Sequence, residues 1–262
     1  MTQSGHFPVK NRKSIWMNNM ELKMPRGRLF GEFVLVVLGV LVALMFDSWM
    51  EQRSDDNLRQ EYLGRLADDL ETDRQNYQYR IAFYSDVRAF ALQTLDAFRS
   101  EAPVDQEDLL AAYYASEIFT GTPASNTYED LQNTGNIRLL SDIELRLALS
   151  TYHEKTAREG TNLDKDYRKI VRGIIPWEIQ KAIRENCPTL DVSGQIPTGF
   201  PPCKLPQLDT NNVNAIFNTI RAYPNIFEIL TYRVSDVDTG IYLLGAQKGF
   251  VDAILDQLDF VQ

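Results

Sequence analysis

An apolar run close to the N-terminus constrains this 262-residue chain more than any other feature. It reads LFGEFVLVVLGVLVALMF over residues 29–46 and holds a single charge, Glu32. At 1.5 Å per residue an α-helix of this length extends about 27 Å, close to the thickness of the hydrocarbon layer of a bilayer. The run therefore predicts one transmembrane helix over residues 29–46, with the lipid bilayer as its first partner.

Charge is distributed unevenly about this run. Of the 27 basic and 36 acidic side chains, six basic and two acidic ones fall within residues 1–46, which leaves 21 against 34 in the rest of the chain. The basic residues before the run are Lys10, Arg12, Lys13, Lys23, Arg26 and Arg28. Basic flanks stay in the cytoplasm, so we expect a cytoplasmic tail at 1–28, a periplasmic domain at 47–262 and an anchor in a bacterial inner membrane.

Three residues are expected to hold the anchor at the two membrane interfaces: Arg26, Arg28 and Trp49. A cleaved signal peptide is the main alternative, because the uncharged stretch 33–46 has only 14 residues. However, that stretch ends in Ala-Leu-Met-Phe-Asp, without a small residue at both critical cleavage positions. A retained anchor is the preferred interpretation, and the basic and acidic flanks disfavour a buried helix of a soluble protein.

One side of the predicted anchor carries residues at four-residue spacing: Gly31, Leu35, Gly39 and Ala43. Gly39 and Ala43 form a small-x-x-x-small pair, which allows another helix to approach closely. Glu32 has two open interpretations. In the first, its carboxylate pairs with a partner subunit or relays protons inside the membrane. In the second, which is preferred, its side chain reaches the headgroups or is held by Arg28. The pattern predicts a protein partner in the membrane, as a homo-oligomer or a larger membrane complex.

Beyond the anchor the chain predicts an all-α fold. Apolar residues recur about every 3.6 residues from Leu58 to Phe98, so the membrane helix is expected to continue as a long amphipathic helix. Within it, the acidic run from Asp68 to Asp73 is interpreted as a solvated face. Shorter apolar patterns then predict a helical bundle in the outer domain.

The shorter helices are expected at 106–119, at 128–134 and through 214–222, the last capped by Asp209 or Thr210. A further helix begins at a capping box, Ser141 to Glu144, and its buried face extends to Trp177. Pro176 is expected to end or kink this helix. The last helix follows Pro224, which suits a first helical turn.

An irregular, Pro-rich loop at residues 186–210 holds both cysteines, Cys187 and Cys203. In an oxidising compartment these two residues pair, and a structural disulfide is preferred over free thiols. Two cysteines supply too few ligands for a metal site.

The last helix carries apolar residues that alternate steps of three and four. This heptad seam consists of Phe227, Leu230, Val234, Val237, Ile241, Leu244, Val251, Leu255 and Leu258, with Lys248 as its polar member. A coiled-coil dimerisation helix shows this pattern, and so does the inner face of an antiparallel bundle. The bundle is preferred, because Gly240, Gly245 and Gly249 weaken a freestanding helix.

No catalytic signature is present in the sequence. The outer domain has one histidine, His153, and the chain lacks a Gly-x-Ser-x-Gly elbow, a Gly-rich phosphate loop and a His-Glu-x-x-His pair. We expect no cofactor, no metal and no catalytic residue. The acidic outer domain also argues against nucleic acid as a partner.

The anchor sequence GEFVLVVLGVLVAL at residues 31–44, followed by Trp49 and Glu51, resembles the opening of a bacterial family of unknown function. Its members are single-pass membrane proteins with a short tail. The similarity continues in EYL at 61–63, TYEDL at 127–131 and DIEL at 142–145. It covers residues 30–75 and 125–155.

This resemblance implies the topology and no activity. It implies that Glu32 and Gly39 belong to a recurring pattern, and that the first twenty or so residues are an extension before a start at Met20 or Met24.

The expected function is a non-catalytic accessory or scaffold subunit of a bacterial envelope complex, acting through helix–helix contacts. The alternative is a periplasmic ligand-binding module with a pocket lined by Tyr113, Tyr114 and Tyr128. An enzyme is the least favoured class.

Overall fold

The computed structural model describes residues 26–100, 102–119, 124–156, 165–187, 200 and 203–261, the side chains of 26–30 and 261 excepted. Within these residues the chain forms eight α-helices, one short 3-10 helix at Asn136–Leu139 and no β-strand. The helices are α1 (Arg26–Arg99), α2 (Gln106–Ala115), α3 (Asn126–Asn133), α4 (Ile143–Thr156), α5 (Asp166–Ile174), α6 (Trp177–Asn186), α7 (Thr210–Arg221) and α8 (Ile226–Val261). The predicted all-α class is confirmed.

Helix α1 has 74 residues and includes the predicted anchor. The expected continuation of the anchor into a long helix is confirmed, because no break separates Arg26 from Arg99. The chain divides into two units, Met1–Ser54 and Asp55–Gln262. We call the second unit the body.

The body has two main hydrophobic cores. The first joins the body part of α1 to α3, α4 and the greater part of α8, with Leu66, Leu149, Val251 and Leu258 among its buried residues. Each side chain of this size contributes about 1.5–3 kcal/mol by leaving water. The apolar residues that recur every 3.6 positions in the sequence thus form the face that α1 presents to this core.

The second core joins α2, α5, α6 and α7 to the end of α1 and the beginning of α8. Tyr167, Val171, Ile220 and Leu230 are among its buried residues. Helix α8 therefore belongs to both cores, with its first turns in the second and the remainder in the first.

Polar side chains fix where several helices begin. Asp105 accepts from the backbone N–H groups of Glu107 and Asp108, which closes a capping box at the start of α2. Asp209 caps α7 through the N–H of Asn212. Gly135 has a φ of 73°, the left-handed conformation that lets α3 end and the 3-10 helix begin.

Several expected boundaries differ from the structure. Helix α3 begins at Asn126 rather than at residue 128, and α8 begins at Ile226, so Pro224 precedes its first turn. Asp142, rather than Ser141, caps α4, because its carboxylate accepts from the N–H groups of Glu144 and Leu145 at 2.8 and 3.2 Å. Trp177 was expected on the buried face and is 63% exposed, since Pro176 starts a separate helix there.

The end of α2 also differs, because the helix stops at Ala115 instead of Phe119. The Tyr84 hydroxyl donates to the carbonyl of Phe119 at 2.8 Å and accepts from its N–H at 3.2 Å. These bonds hold residue 119 outside the helix and replace the helical hydrogen bonds that it would otherwise make.

Candidate functional site

The anchor segment is exposed along its whole described length. From Gly31 to Phe46 every side chain is open to solvent, and Leu35 is 73% exposed. Helix α1 is the one helix of the described chain that is long and apolar enough to cross a membrane. A run of exposed apolar side chains this long is costly in water and is the surface that a lipid environment stabilises.

The stripe of four residues predicted on the anchor is present on α1. Gly31, Leu35, Gly39 and Ala43 follow one another at four-residue spacing within the helix. A Cβ atom added at Gly39 would meet nothing within 4 Å, so its surface is open to a second helix. Glu32 precedes Gly39 by two helical turns, which puts the carboxylate on the same side.

The interfacial residues are described in part. Trp49 is exposed, and its ring centroid lies 5.9 Å from that of Phe46 and 5.6 Å from the Arg53 guanidinium carbon. This aromatic and cationic group at the end of the apolar run suits a headgroup region. The side chains of Arg26 and Arg28 and the tail up to residue 25 lie outside the described residues.

Cys187 and Cys203 form a disulfide, as predicted. Cys187 is buried in the second core, and the Lys204 N–H donates to the Asn186 carbonyl at 3.2 Å beside it. On the chain-entropy estimate, closing a loop of about 15 residues stabilises the fold by about 3 kcal/mol. Most of the Pro-rich loop that the disulfide closes lies outside the described residues.

The heptad seam of α8 packs against the cores of its own chain. Five members are buried: Leu230, Val237, Leu244, Val251 and Leu258. Val234, Ile241 and Leu255 are half-buried. Phe227 is 37% exposed, and its ring lies under the Arg99 guanidinium. Lys248 avoids the core by pairing with Asp252 at 2.8 Å. The contacts are those of a bundle's inner face.

The opposite side of α8 carries a second heptad series, which the sequence analysis did not identify. It consists of Tyr232, Thr239, Ala246, Ala253 and Phe260, and all five are exposed. Tyr242 and Leu243 on the same side are exposed as well, at 75% and 56%. A Cβ atom at Gly249 would meet nothing within 4 Å, so the fold does not require glycine there, although glycine costs about 1 kcal/mol within a helix.

Part of the acidic run on α1 is buried, so its interpretation as a solvated face is wrong for Asp73 and right for Asp68, which is exposed. Asp73 is 1% exposed and accepts from the Tyr152 hydroxyl and the Ala124 N–H, both at 2.7 Å. Asp69 accepts from the Thr127 N–H at 3.1 Å. Burial, followed by hydrogen bonding to Tyr77 and Asp73, raises the pKa of Tyr152 far above its ordinary value.

Asp68 and Glu71, the other acidic residues of the run, line a cleft between α1 and α8. Its remaining charged lining consists of Arg74, Lys248, Asp252, Asp256 and Asp259. Hydrogen bonding from Gln75 is the main cause that lowers the pKa of Glu71. The two cations of the cleft are engaged, Arg74 with Glu71 at 2.7 Å and Lys248 with Asp252 at 2.8 Å.

His153 is packed as a core side chain. Its ring stacks on Tyr128 with centroids 4.2 Å apart, and burial lowers the pKa of the imidazole. Tyr113, Tyr114 and Tyr128, the residues of the proposed ligand pocket, are all buried within the cores. Burial also raises the pKa of Tyr114 to about 12.

Arginines gather at the end of α2, a group that the sequence analysis did not single out. Glu117 is paired with Arg168 at 3.0 Å and with Arg172 at 2.6 Å. Arg233 of α8 is 1% exposed and donates to the carbonyls of Ala115 and Glu117 at 3.4 and 2.7 Å. These donors satisfy the carbonyls left at the helix C-terminus and complement its negative dipole end.

The described residues contain no group of three or more His, Cys, Asp or Glu side chains able to hold a metal ion. Comparison of the chain with protein-family models, curated proteins and solved structures finds no match. The resemblance to a family of single-pass proteins therefore stays a prediction.

Proposed function

We propose that this protein is a non-catalytic accessory or scaffold subunit of a bacterial envelope complex, joined to its partner by helix–helix contacts of the anchor. One observation carries the proposal. The anchor exposes a continuous apolar surface on which Gly39 leaves room for a second backbone. A purely hydrophobic tether needs no small residues in register, whereas helix pairing in a membrane depends on them.

The polar groups of the body support a structural role. The groups with the most perturbed environments, Asp73, Tyr152 and His153, are engaged within the first core. Each serves the packing of α1, α3 and α4 and not an open cleft. A perturbed pKa inside a packed core is as typical of a structural network as of an active site.

The distribution of charge supports the proposed location. Six basic residues precede the anchor, and the residues after it are predominantly acidic. The proposed topology puts the N-terminus in the cytoplasm and the body in the periplasm, where a Cys187–Cys203 disulfide is stable. Fusion of alkaline phosphatase to the C-terminus tests the orientation: we expect an active enzyme, and an inactive one would overturn the topology.

A membrane two-hybrid assay with the full chain tests the anchor contact. Gly39→Ile fills the space on the stripe, and we expect it to abolish the interaction. Val37→Ile is the matched control, because Val37 lies about 200° around the helix from Gly39 and also gains apolar bulk. An interaction unchanged by Gly39→Ile would contradict the proposal.

Gentle detergent extraction followed by mass spectrometry identifies the partner class. We expect the protein to co-purify with a membrane protein or with further copies of itself. Extraction as a lone monomer would argue against a subunit role.

A further inference from the structure

Aromatic rings from separate parts of the chain meet where the two cores of the body adjoin. The Phe200 ring stacks on Phe83 of α1 with centroids 4.9 Å apart, and it lies 5.5 Å from Phe90 of α1 and 5.0 Å from Tyr114 of α2. Phe200 packs against both cores and is itself partly exposed. We call Phe83, Phe90 and Tyr114 the aromatic pocket, and Phe200 is its occupant.

Two kinds of contact hold the occupant in the aromatic pocket. The ring packs against the three aromatic side chains, and the backbone N–H of Phe200 donates to the Asp86 carboxylate at 2.7 Å. Aromatic rings at these separations attract each other, and a hydrogen bond to a charged acceptor is stronger than one to a neutral acceptor. The pocket therefore selects an aromatic side chain that carries a peptide N–H.

The walls of the pocket are held by contacts that do not involve Phe200. Phe83 and Tyr114 are buried and lie on two different helices. The Phe83 ring also packs against Phe119 at 5.7 Å, and the Tyr114 ring packs against Tyr113 at 5.8 Å. Departure of Phe200 would thus uncover an apolar, preformed surface beside a carboxylate, which is a typical binding surface.

The disulfide fastens the occupant to the body. Cys203 follows Phe200 by three residues and is bonded to Cys187 at the end of α6. An extended chain spans at most about 3.5 Å per residue, so the bond keeps Phe200 within about 10 Å of Cys203. The neighbouring attachments are a hydrogen bond from the Lys204 N–H and the packing of Leu205 on the second core. Both are reversible, and the disulfide is the covalent part of the fastening.

We propose that the Cys187–Cys203 disulfide is a redox-sensitive fastener of a second binding site. While the bond is closed, Phe200 fills the aromatic pocket. When the bond is reduced, Phe200 leaves and the pocket binds an aromatic residue of a partner protein, with the ring against Phe83 and the peptide N–H on Asp86. The site lies on the body, so it needs no contribution from the anchor contact.

A dithiol is the reductant that the step requires, and Cys203 is the cysteine that it can reach. Cys187 is buried, whereas Cys203 is partly exposed. One thiolate of the dithiol attacks the Cys203 sulfur, the bond to Cys187 breaks, and Cys187 leaves as a thiolate that takes up a proton. The second thiol then attacks the mixed disulfide and releases Cys203. The dithiol becomes a disulfide, and two electrons and two protons pass to the two cysteines.

Fluorescence quenching of the detergent-solubilised full chain tests the release of Phe200. Phe200→Trp is introduced into a chain whose native tryptophans are replaced by phenylalanine, and acrylamide quenching is measured before and after addition of dithiothreitol. We expect the quenching constant to rise about threefold or more, as local opening exposes the indole. Phe250→Trp, at a partly buried position of the first core, is the matched control and should not change. An unchanged constant at position 200 in a protein with two titratable thiols, or an equal rise at both positions, would overturn the proposal.

Binding of a small probe tests the opened pocket. N-acetyl-phenylalanine amide has the ring and the peptide N–H, whereas N-acetyl-leucine amide has the N–H without the ring. In saturation-transfer NMR we expect the phenylalanine probe to give about fivefold more signal with the reduced chain, and with oxidised Phe200→Ala, than with the oxidised unaltered chain. Addition of Asp86→Ala to Phe200→Ala should lower this signal about threefold or more. Equal signals from the two probes, or no gain in either opened form, would contradict the proposal.

Two further measurements separate the pocket from other sources of signal. An unchanged near-UV circular dichroism spectrum in the region of the first core, monitored through Phe250→Trp, shows that the reduced chain is folded. Gly39→Ile should change neither the quenching nor the probe signal, because the pocket does not involve the anchor. Loss of probe binding in Gly39→Ile would assign the binding to the anchor and refute the role of the pocket.

Discussion

The anchor and the body use the same kinds of apolar side chain in opposite ways. Leu35 in the anchor is 73% exposed, whereas Leu66, on the same helix, is 2% exposed. Residues of one chemical type thus have two different tasks, set by what surrounds them. In the body they are removed from water by other helices, and in the anchor we expect lipid or a partner helix to do this.

The largest expected effect is on the free energy of unfolding, and it tests this comparison directly. Leu66→Ala should lower the free energy of unfolding of the body by about 3 to 5 kcal/mol, because it leaves a cavity in the first core. Leu35→Ala is the matched variant and should leave that free energy unchanged. Urea titrations of the detergent-solubilised protein, followed by near-UV circular dichroism, measure both, and equal losses would contradict the assignment of the two environments.

Removal of the disulfide tests whether a covalent link stabilises the body and has no effect on the anchor. Cys203→Ser should destabilise the body by about 3 kcal/mol, since the closed loop then gains freedom in the unfolded state. Membrane retention should not change. Thermal unfolding of the variant, set against carbonate extraction of the membranes, measures the two properties. An unaltered melting temperature would argue against a structural role of the bond.

Glycine substitutions sharpen the contrast between the two regions. Gly249→Ala should stabilise the body by up to about 1 kcal/mol, because a Cβ atom there meets no neighbour and alanine favours the helix. Gly39→Ala, in the anchor, should not alter the unfolding of the body. A shift in urea midpoint for Gly249→Ala alone is the expected result, and destabilisation would show an undetected close contact.

The smallest expected effect concerns pH. Burial lowers the pKa of His153 below its ordinary value of 6.5, so the unfolded chain binds more protons than the folded one below that pH. The stability that the neutral His153 contributes is complete above pH 6.5 and is lost as the pH decreases from there through the lowered pKa of its imidazole. His153→Gln should remove this part of the pH dependence, which denaturant titrations at pH 7.5 and 5.5 measure. An equal change in the free energy of unfolding between pH 7.5 and 5.5 in both proteins would rule out His153 as the source of the pH dependence.

Much of the fold could be predicted because helical periodicity is a local property. The long apolar helix near the N-terminus, its continuation along α1, the all-α class and the cysteine pair all followed from spacing and composition. Helix ends were less accurate where distant residues decide them. The end of α2, for example, depends on the Tyr84 hydroxyl, 35 positions away from Phe119 in sequence.

The buried polar residues were missed although the pattern contained their positions. Asp73 lies between Leu70 and Tyr77 on the buried face of α1, and Arg233 lies between Leu230 and Val237 on α8. In both cases the helical repeat predicts a core position, and composition alone suggests a solvated one. Periodicity specifies the position of such a residue, but the partner that satisfies it comes from another helix.

The membership of α8 in both cores has a consequence for how the chain folds. The first core joins α1 to α8, and the ion pair between Arg88 and Asp238 spans 150 positions of sequence. Contacts of this separation form late, because the intervening chain must lose much of its freedom before they add stability. Until α8 arrives, the leucines and tyrosines of α1 remain uncovered. We expect the nascent body to depend on chaperones that shield α1 while α8 is being synthesised.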